Sequence, residues 1–182
     1  MTVTRTSARA RLLDTATTLF YRDGINVTGI DRVIAGAGVA KASLYNNFSS
    51  KDDLIAAYLE ASLTRFLELT DGLDEVADSR ERLARFFAEL ARSASAAGFS
   101  GCPFANAAVE VAPDSAAHQV IVRFYDHLAR FFSRVVATTP DDPAVRQLIV
   151  CYDGAMSAAK ILRDPSLVTA AAALAQRIVE VR

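Results

Sequence analysis

Tryptophan is absent from this 182-residue chain, and cysteine, histidine and methionine occur only twice each. Two cysteines exclude a disulfide-stapled scaffold. Proline is scarce, and the first one is Pro103, so the N-terminal hundred residues contain no residue that breaks a helix by geometry alone. No stretch alternates β-branched and polar residues in the way a half-buried strand requires. No apolar run approaches the roughly 18 residues of a membrane span. Met1-Thr2-Val3-Thr4-Arg5 lacks the apolar segment that follows the charge of a secretory signal. Internal repeats and low-complexity linkers are missing too. The expectation is a cytoplasmic, all-α protein with reduced thiols.

Present in quantity are apolar residues, 52% of the chain, against 23% charged, which is enough to bury a real core. The formal charge of −1 conceals a division. Residues 1–51 hold seven basic side chains against three acidic ones, a balance of +4, and the remaining residues carry −5. A basic head on an acidic body suits contact with a polyanion, although scattered charges also describe an ordinary solvated surface.

Helical periodicity accounts for the whole chain. Leu12, Leu13, Ala16, Leu19 and Phe20 form one stripe that stops at Gly24, predicting a helix over Ala8 to Asp23. Thr28, with Asp31 three residues on, reads as a cap for a second helix ending near Gly36. A third spans about Ala40 to Asn47. Ser49 or Ser50 starts a long fourth helix running toward the Asp71-Gly72 break, and Asp78 with Glu81 starts a fifth. Pro103 opens a short sixth after the Gly98 to Gly101 break, and a seventh begins near Asp114. Asp142-Pro143 and Asp164-Pro165 open the last two, giving nine helices. The expected division is a head at residues 1–50 and a ligand-binding and dimerisation body at 51–182, sharing the fourth helix.

Two short helices joined by a turn at Gly38, behind an amphipathic helix, have the arrangement of a helix-turn-helix unit; a plain helical hairpin shares that periodicity. With Leu44 facing the core, a 100° step turns Ala42, Ser43, Tyr45 and Asn46 outward and leaves Lys41 at the edge. Such a face can reach phosphates and base edges, and Lys51 with the start of the fourth helix makes a second anion site. The particular residues from Thr28 through Gly38, Lys41, Tyr45, Phe48 and Lys51 to Leu54, together with Phe20 and Gly24, closely resemble the DNA-binding signature of the TetR family.

That resemblance implies a homodimeric transcriptional regulator, usually a repressor, whose C-terminal helices bind a small, largely apolar molecule and so release a palindromic DNA operator. It implies phosphate contacts for Thr28, Tyr45, Asn47 and Lys51, and base reading for Lys41, Ala42, Ser43 and Asn46. Ala40, Ala42 and Asn47 depart from the usual Ser, Gly and His. Further along, Gly101-Cys102-Pro103-Phe104-Ala105-Asn106 resembles a segment of one TetR subgroup, and the Asp153-Gly154-Ala155 element also has a counterpart in the family.

Phe66, Phe104 and Phe124 are expected around a ligand, with Asn106 or Glu110 as polar contacts; helical spacing alone equally permits an ordinary phenylalanine core. Small residues on the last two helices, Ala155, Ala159, Ala171 and Ala175, with Ile178, suit a dimer interface, a pairing that the resemblance also implies. Cys102 precedes Pro103 at a helix start, where the dipole favours a thiolate, so a redox or electrophile sensor is an alternative, as is a small thiol enzyme. Neither His118 nor His127 has a motif that makes it a base for Cys102, and the two point to different sides of one helix, which leaves no metal site; Asp114 and His118 are expected to form a local pair. A helical carrier with a silent head is a third reading. No cofactor is expected.

Overall fold

The computed structural model describes residues 7–180. Nine α-helices and no strand lie among them: α1 (Ala8–Asp23), α2 (Ile30–Ala37), α3 (Lys41–Asn47), α4 (Lys51–Asp74), α5 (Ser79–Ala94), α6 (Pro103–Ala108), α7 (Ala116–Val135), α8 (Pro143–Leu162) and α9 (Ser166–Glu180). Most starts carry a side-chain cap, which satisfies N–H groups that have no partner within the helix. Ser7, Ser50, Asp78 and Asp142 each accept from a backbone N–H two or three residues on.

Three boundaries differ from the sequence pattern. Thr28 is not the cap of α2; Gly29 occupies that position, and the Thr28 hydroxyl instead donates to the Gly24 carbonyl at 2.7 Å. Ser115, not Asp114, caps α7. Helix α4 continues through Gly72 to Asp74, because its buried residues run on to Leu73. A single glycine costs a helix only about 1 kcal/mol, less than burial of that last leucine returns.

Helices α1 to α3 form a small head around Leu12, Ala16, Phe20, Val33, Leu44 and Phe48, and its floor is the first turns of α4. In the body, α4 packs along α7, while α9 packs against both α5 and α8. The centre is a phenylalanine cluster in which Phe86 meets Phe131 and Phe132 at ring-centroid distances of 4.9 and 5.5 Å. Edge and tilted contacts of this kind add to the burial of large side chains. No described helix is long and apolar enough to cross a membrane.

Candidate nucleic-acid interface and the adjoining cavity

The turn between α2 and α3 is made by Gly38, whose left-handed φ of 60° lets its N–H reach the Ala35 carbonyl and close α2. Gly36 serves a different need. A Cβ there would stand 2.7 Å from Thr15 Cγ2, so α1 and α2 lie as close as they do only because the side chain is absent. Leu44 is fully buried and anchors α3, leaving Lys41, Ala42, Tyr45 and Asn46 exposed and Ser43 half-buried. Helix α3 thus turns Ala42, Tyr45 and Asn46 outward as the 100° step predicted, with Lys41 exposed rather than at the edge and Ser43 at the margin rather than outward. Its start lacks a side-chain cap, because Ala40 has no oxygen to offer.

The expected phosphate-contacting residues divide. Tyr45 is 53% exposed and stands clear of the head. Thr28 is fully buried with its hydroxyl spent on Gly24, which corrects the expectation of a side-chain contact there. Asn47 folds back to donate to the Ser43 carbonyl at 2.7 Å, and Lys51 Nζ donates to the Ile25 carbonyl at 2.7 Å. Lys41 is held 3.1 Å from Asp31 by an exposed ion pair, a weak tether that a phosphate can replace. The start of α4 is less open to anions than expected. The Asp53 N–H is taken by Ser50 Oγ, and Asp52 and Asp53 place two carboxylates in the first turn. Arg9, which no pattern marked, lies over the Phe48 ring at 4.9 Å and adds a cation to this end of the head.

Between head and body lies a seam with two polar ties. Glu110, just beyond α6, accepts from the N–H of Ile25 at 3.2 Å and of Asn26 at 2.7 Å, both in the α1–α2 loop. Tyr21 of α1 donates to the Gly101 carbonyl at 3.0 Å and accepts from the Ser100 N–H at 3.0 Å. Next to the seam opens a cavity of about 590 Å³. Its wall takes Thr17, Tyr21 and Arg22 from α1, Tyr58 and Phe66 from α4, Leu90 from α5, Phe104 from α6 and Tyr152 from α8. The volume is that of a small-molecule site.

Of the expected ligand contacts, Phe66 and Phe104 line this cavity. Phe124 does not. It is buried behind Phe104, stacked on it at 3.9 Å with an 8° interplanar angle. Asn106 is used elsewhere, donating to the Ser100 carbonyl at 2.7 Å and accepting from Lys160 at 2.9 Å, and Glu110 is committed to the loop of the head. Both corrections share a cause: a polar residue one turn from an apolar stripe pairs with whichever backbone group tertiary packing brings to it. The polar groups that do line the cavity include Thr17, Tyr21, Arg22, Tyr58, Arg65 and Tyr152.

Cys102 caps α6 with Sγ 3.5 Å from the Ala105 N–H and accepts from the Tyr152 hydroxyl at 3.4 Å. Burial nevertheless pushes its thiol pKa up, outweighing those donors, so the expected thiolate is not favoured. Cys151 is buried as well. His127 is 3.0 Å from the Thr70 hydroxyl, and burial lowers its pKa. His118 sits in the first turn of α7, its N–H bonded to the Ser115 cap.

The small residues of α8 and α9 also need correction. Ala155, Ala159 and Ala175 are buried within the protomer, where the close approach that alanine permits is used between α8 and α9 and against α5. Ala171 and Ile178 are half-buried at the margin. The outward stripe is different: Val150, Gly154 and Ile161 share one face of α8, and Val150, Ile161 and Leu174 of α9 are 70%, 72% and 53% exposed.

A three-helix head with an exposed recognition-type helix, joined through a shared helix to a body with a small-molecule cavity, defines a helix-turn-helix regulatory protein. The family profile "Bacterial regulatory proteins, tetR family" matches residues 12–58, which are the head and the start of α4. A TetR-family transcriptional regulator from Streptomyces coelicolor superposes with a TM-score of 0.83 at 32% identity, covering 95% of this chain and 92% of that one. This chain belongs to the TetR family. The transcriptional repressor KstR2 of Mycobacterium tuberculosis is 33% identical over 82 residues, 44% of this chain and 41% of the relative, so the match spans about two fifths of that protein's length. The transcriptional repressor DhaR of a Mycobacterium species is 25% identical over 174 residues, 88% of this chain and 86% of its own length.

Proposed function

We propose that the chain is a ligand-responsive transcriptional repressor that binds a palindromic operator as a homodimer and leaves it when a small effector enters the cavity. The observation that supports this most directly is the exposed face of α3, which carries Lys41, Ala42, Tyr45 and Asn46 on a helix anchored by Leu44. In this reading Lys41 and Asn46 read bases, Ala42 offers a methyl contact, and Ser43 adds a hydroxyl at the margin. Tyr45, exposed on the same face, contacts phosphate in this reading. Lys51 and Asn47 act there only by exchanging their present carbonyl partners for phosphate oxygens.

A dimer supplies the second recognition helix, which must sit about 34 Å from the first to meet the next major-groove face. The outward stripe of Val150, Gly154, Ile161 and Leu174 is the surface proposed to make that dimer, since exposed valine, isoleucine and leucine on adjacent helices lose the most by facing water. Ala171 and Ile178 flank it. An effector acts on DNA affinity by distinguishing two arrangements of the head, and the cavity meets that condition because α1 forms part of its wall.

The test is binding of the full chain to DNA upstream of its own gene, measured against salt concentration. A log–log slope of several units with sequence preference supports the reading, whereas shallow binding equal on all sequences contradicts it. The thiol-based alternatives receive no support from the position of Cys102, which meets Tyr152 and backbone N–H groups.

A further inference from the structure

The cavity has an uneven chemistry. Its lining includes two cationic side chains, Arg22 and Arg65, and no acidic one. Arg22 donates through Nε and Nη2 to both oxygens of Asp23 at 2.7 and 2.8 Å, a carboxylate that Arg32 also pairs with. Arg65 has no carboxylate partner among the described residues and donates only to Ser62 Oγ at 3.1 Å. Tyr58, Ser62, Arg65 and Phe66 follow one another on a single face of α4, so the guanidinium, the phenol and an aromatic wall are presented together.

Tyr58 adds a second polar group to this wall. It is 2% exposed, it lines the cavity, and its hydroxyl meets no donor or acceptor among the described residues. No side-chain nitrogen or oxygen sealed from solvent among the described residues lacks a partner, so this phenol opens onto the cavity, where its O–H can donate to a bound group. Burial raises its pKa, which keeps it protonated and able to donate. Ser62 offers no competing site, because its hydroxyl already donates to the Tyr58 carbonyl at 3.0 Å. Phe66, Leu90, Phe104 and Met156 supply an apolar part of the wall, beside hydroxyl-bearing residues such as Thr17, Tyr21 and Tyr152.

We infer that the effector is an apolar monocarboxylate, its carboxylate taken by the Arg65 guanidinium and the Tyr58 hydroxyl and its body lying between Phe66, Leu90, Phe104 and Met156. One unpaired guanidinium matches one negative charge in the planar, two-pronged geometry that carboxylates share with arginine. A cationic ligand finds no acidic partner in this lining. This inference rests on the proposal that the cavity takes an effector.

The probes are decanoate and naphthoate, each compared with the alcohol and the amine of the same carbon skeleton, titrated into the full-length protein by calorimetry and thermal shift. Both acids are expected to bind at least about tenfold more tightly than their alcohols and amines. In Arg65→Gln that preference should fall to about twofold. Tyr58→Phe, which keeps the packing of the ring on Phe20 at 5.8 Å, should weaken the acids several-fold and leave the amines unchanged. Equal binding of acid, alcohol and amine, no binding by any of the six, or an undiminished acid preference in Arg65→Gln overturns the inference. Operator binding by the same protein without probe is measured alongside. Loss of the acid preference with DNA binding intact removes only this inference, while acid-selective binding without any DNA binding removes the regulatory reading and leaves the ligand class standing.

Discussion

Glu110 gives the sharpest test of how the body governs the head. Its carboxylate accepts two backbone N–H groups from residues 84 and 85 positions earlier in the chain, at 2.7 and 3.2 Å. Replacing it by Ala removes both acceptors and leaves the packing of α6 almost unchanged, since the side chain is only half-buried and Phe104 and Ala107 make the buried contacts of that helix. Hydrogen bonds to a charged group contribute about 1.5–3 kcal/mol when fully desolvated. The Asn26 N–H lies at the surface and finds water once the carboxylate is gone, so the expected cost is about 1–2 kcal/mol in total. For a chain of this length that corresponds to a fall in Tm of roughly 2–8 °C. Gln is no substitute, because its single carbonyl oxygen replaces one acceptor while its amide nitrogen meets the other N–H as a second donor. The decisive assay is amide hydrogen exchange, which should show lost protection at Ile25 and Asn26 and little change in α7 to α9. Operator affinity with and without a bound ligand should then differ less than in the parent, because the tie between α6 and the head is gone. Unchanged protection at both amides, or ligand coupling equal to the parent's, refutes the reasoning.

Four further outcomes are expected. Lys51→Ala should weaken binding to all DNA sequences alike and reduce the magnitude of the salt slope by about one, whereas Asn46→Ala should alter sequence preference, as seen in a fluorescence-anisotropy titration. Val150→Glu or Leu174→Glu should give folded monomers by sedimentation, while Ala175→Glu, which puts a charge at a fully buried site, should unfold the protomer itself. Ala40→Ser should stabilise the head by about 1 kcal/mol in urea denaturation, by supplying the side-chain cap that α3 lacks. Cys102 should resist iodoacetamide at pH 8 until the protein is denatured, since burial raises its pKa and so lowers the thiolate fraction at that pH; prompt alkylation of the folded chain would show the thiol to be activated after all.

The helices were legible because their signals are local. Capping residues, prolines at the first helical position and 3.6-residue stripes act within a few positions, and they located α3 between Gly38 and Phe48 with Ala42, Tyr45 and Asn46 on its outward face. The side-chain partners were not legible, because they form across the chain. Glu110 lies one helical turn from Asn106 and looks like its companion in a ligand site, yet one bonds to the head and the other to Ser100 and Lys160. The alanines of α8 and α9 show the same limit in apolar form. A stripe of small residues announces close helix approach, and the periodicity does not say whether the neighbour is in the same protomer or another. The exposed Val150 and Ile161 carried the more useful information, since their place opposite Leu148 and Tyr152 on α8 appears only once the buried face is known.

The arrangement of ties around the cavity bears on how an effector can act. Tyr21 fixes α1 to the loop before α6, and Glu110 fixes the loop after α1 to the segment following α6, so the head is held at both ends of one short helix. Phe104, the cavity wall contributed by α6, sits between those two points and is stacked on Phe124 of α7. A ligand that displaces Phe104 therefore has to disturb the stack behind it or move α6, and moving α6 carries Gly101 and Glu110 with it. Helix α4 offers a second route, since Lys51 at its start holds the Ile25 carbonyl while Tyr58 and Phe66 further along face the ligand space. Both routes end on the same short loop, residues 24–28. Its position relative to α3 is the quantity that a ligand must change to alter DNA affinity, because interactions made equally in both states shift nothing.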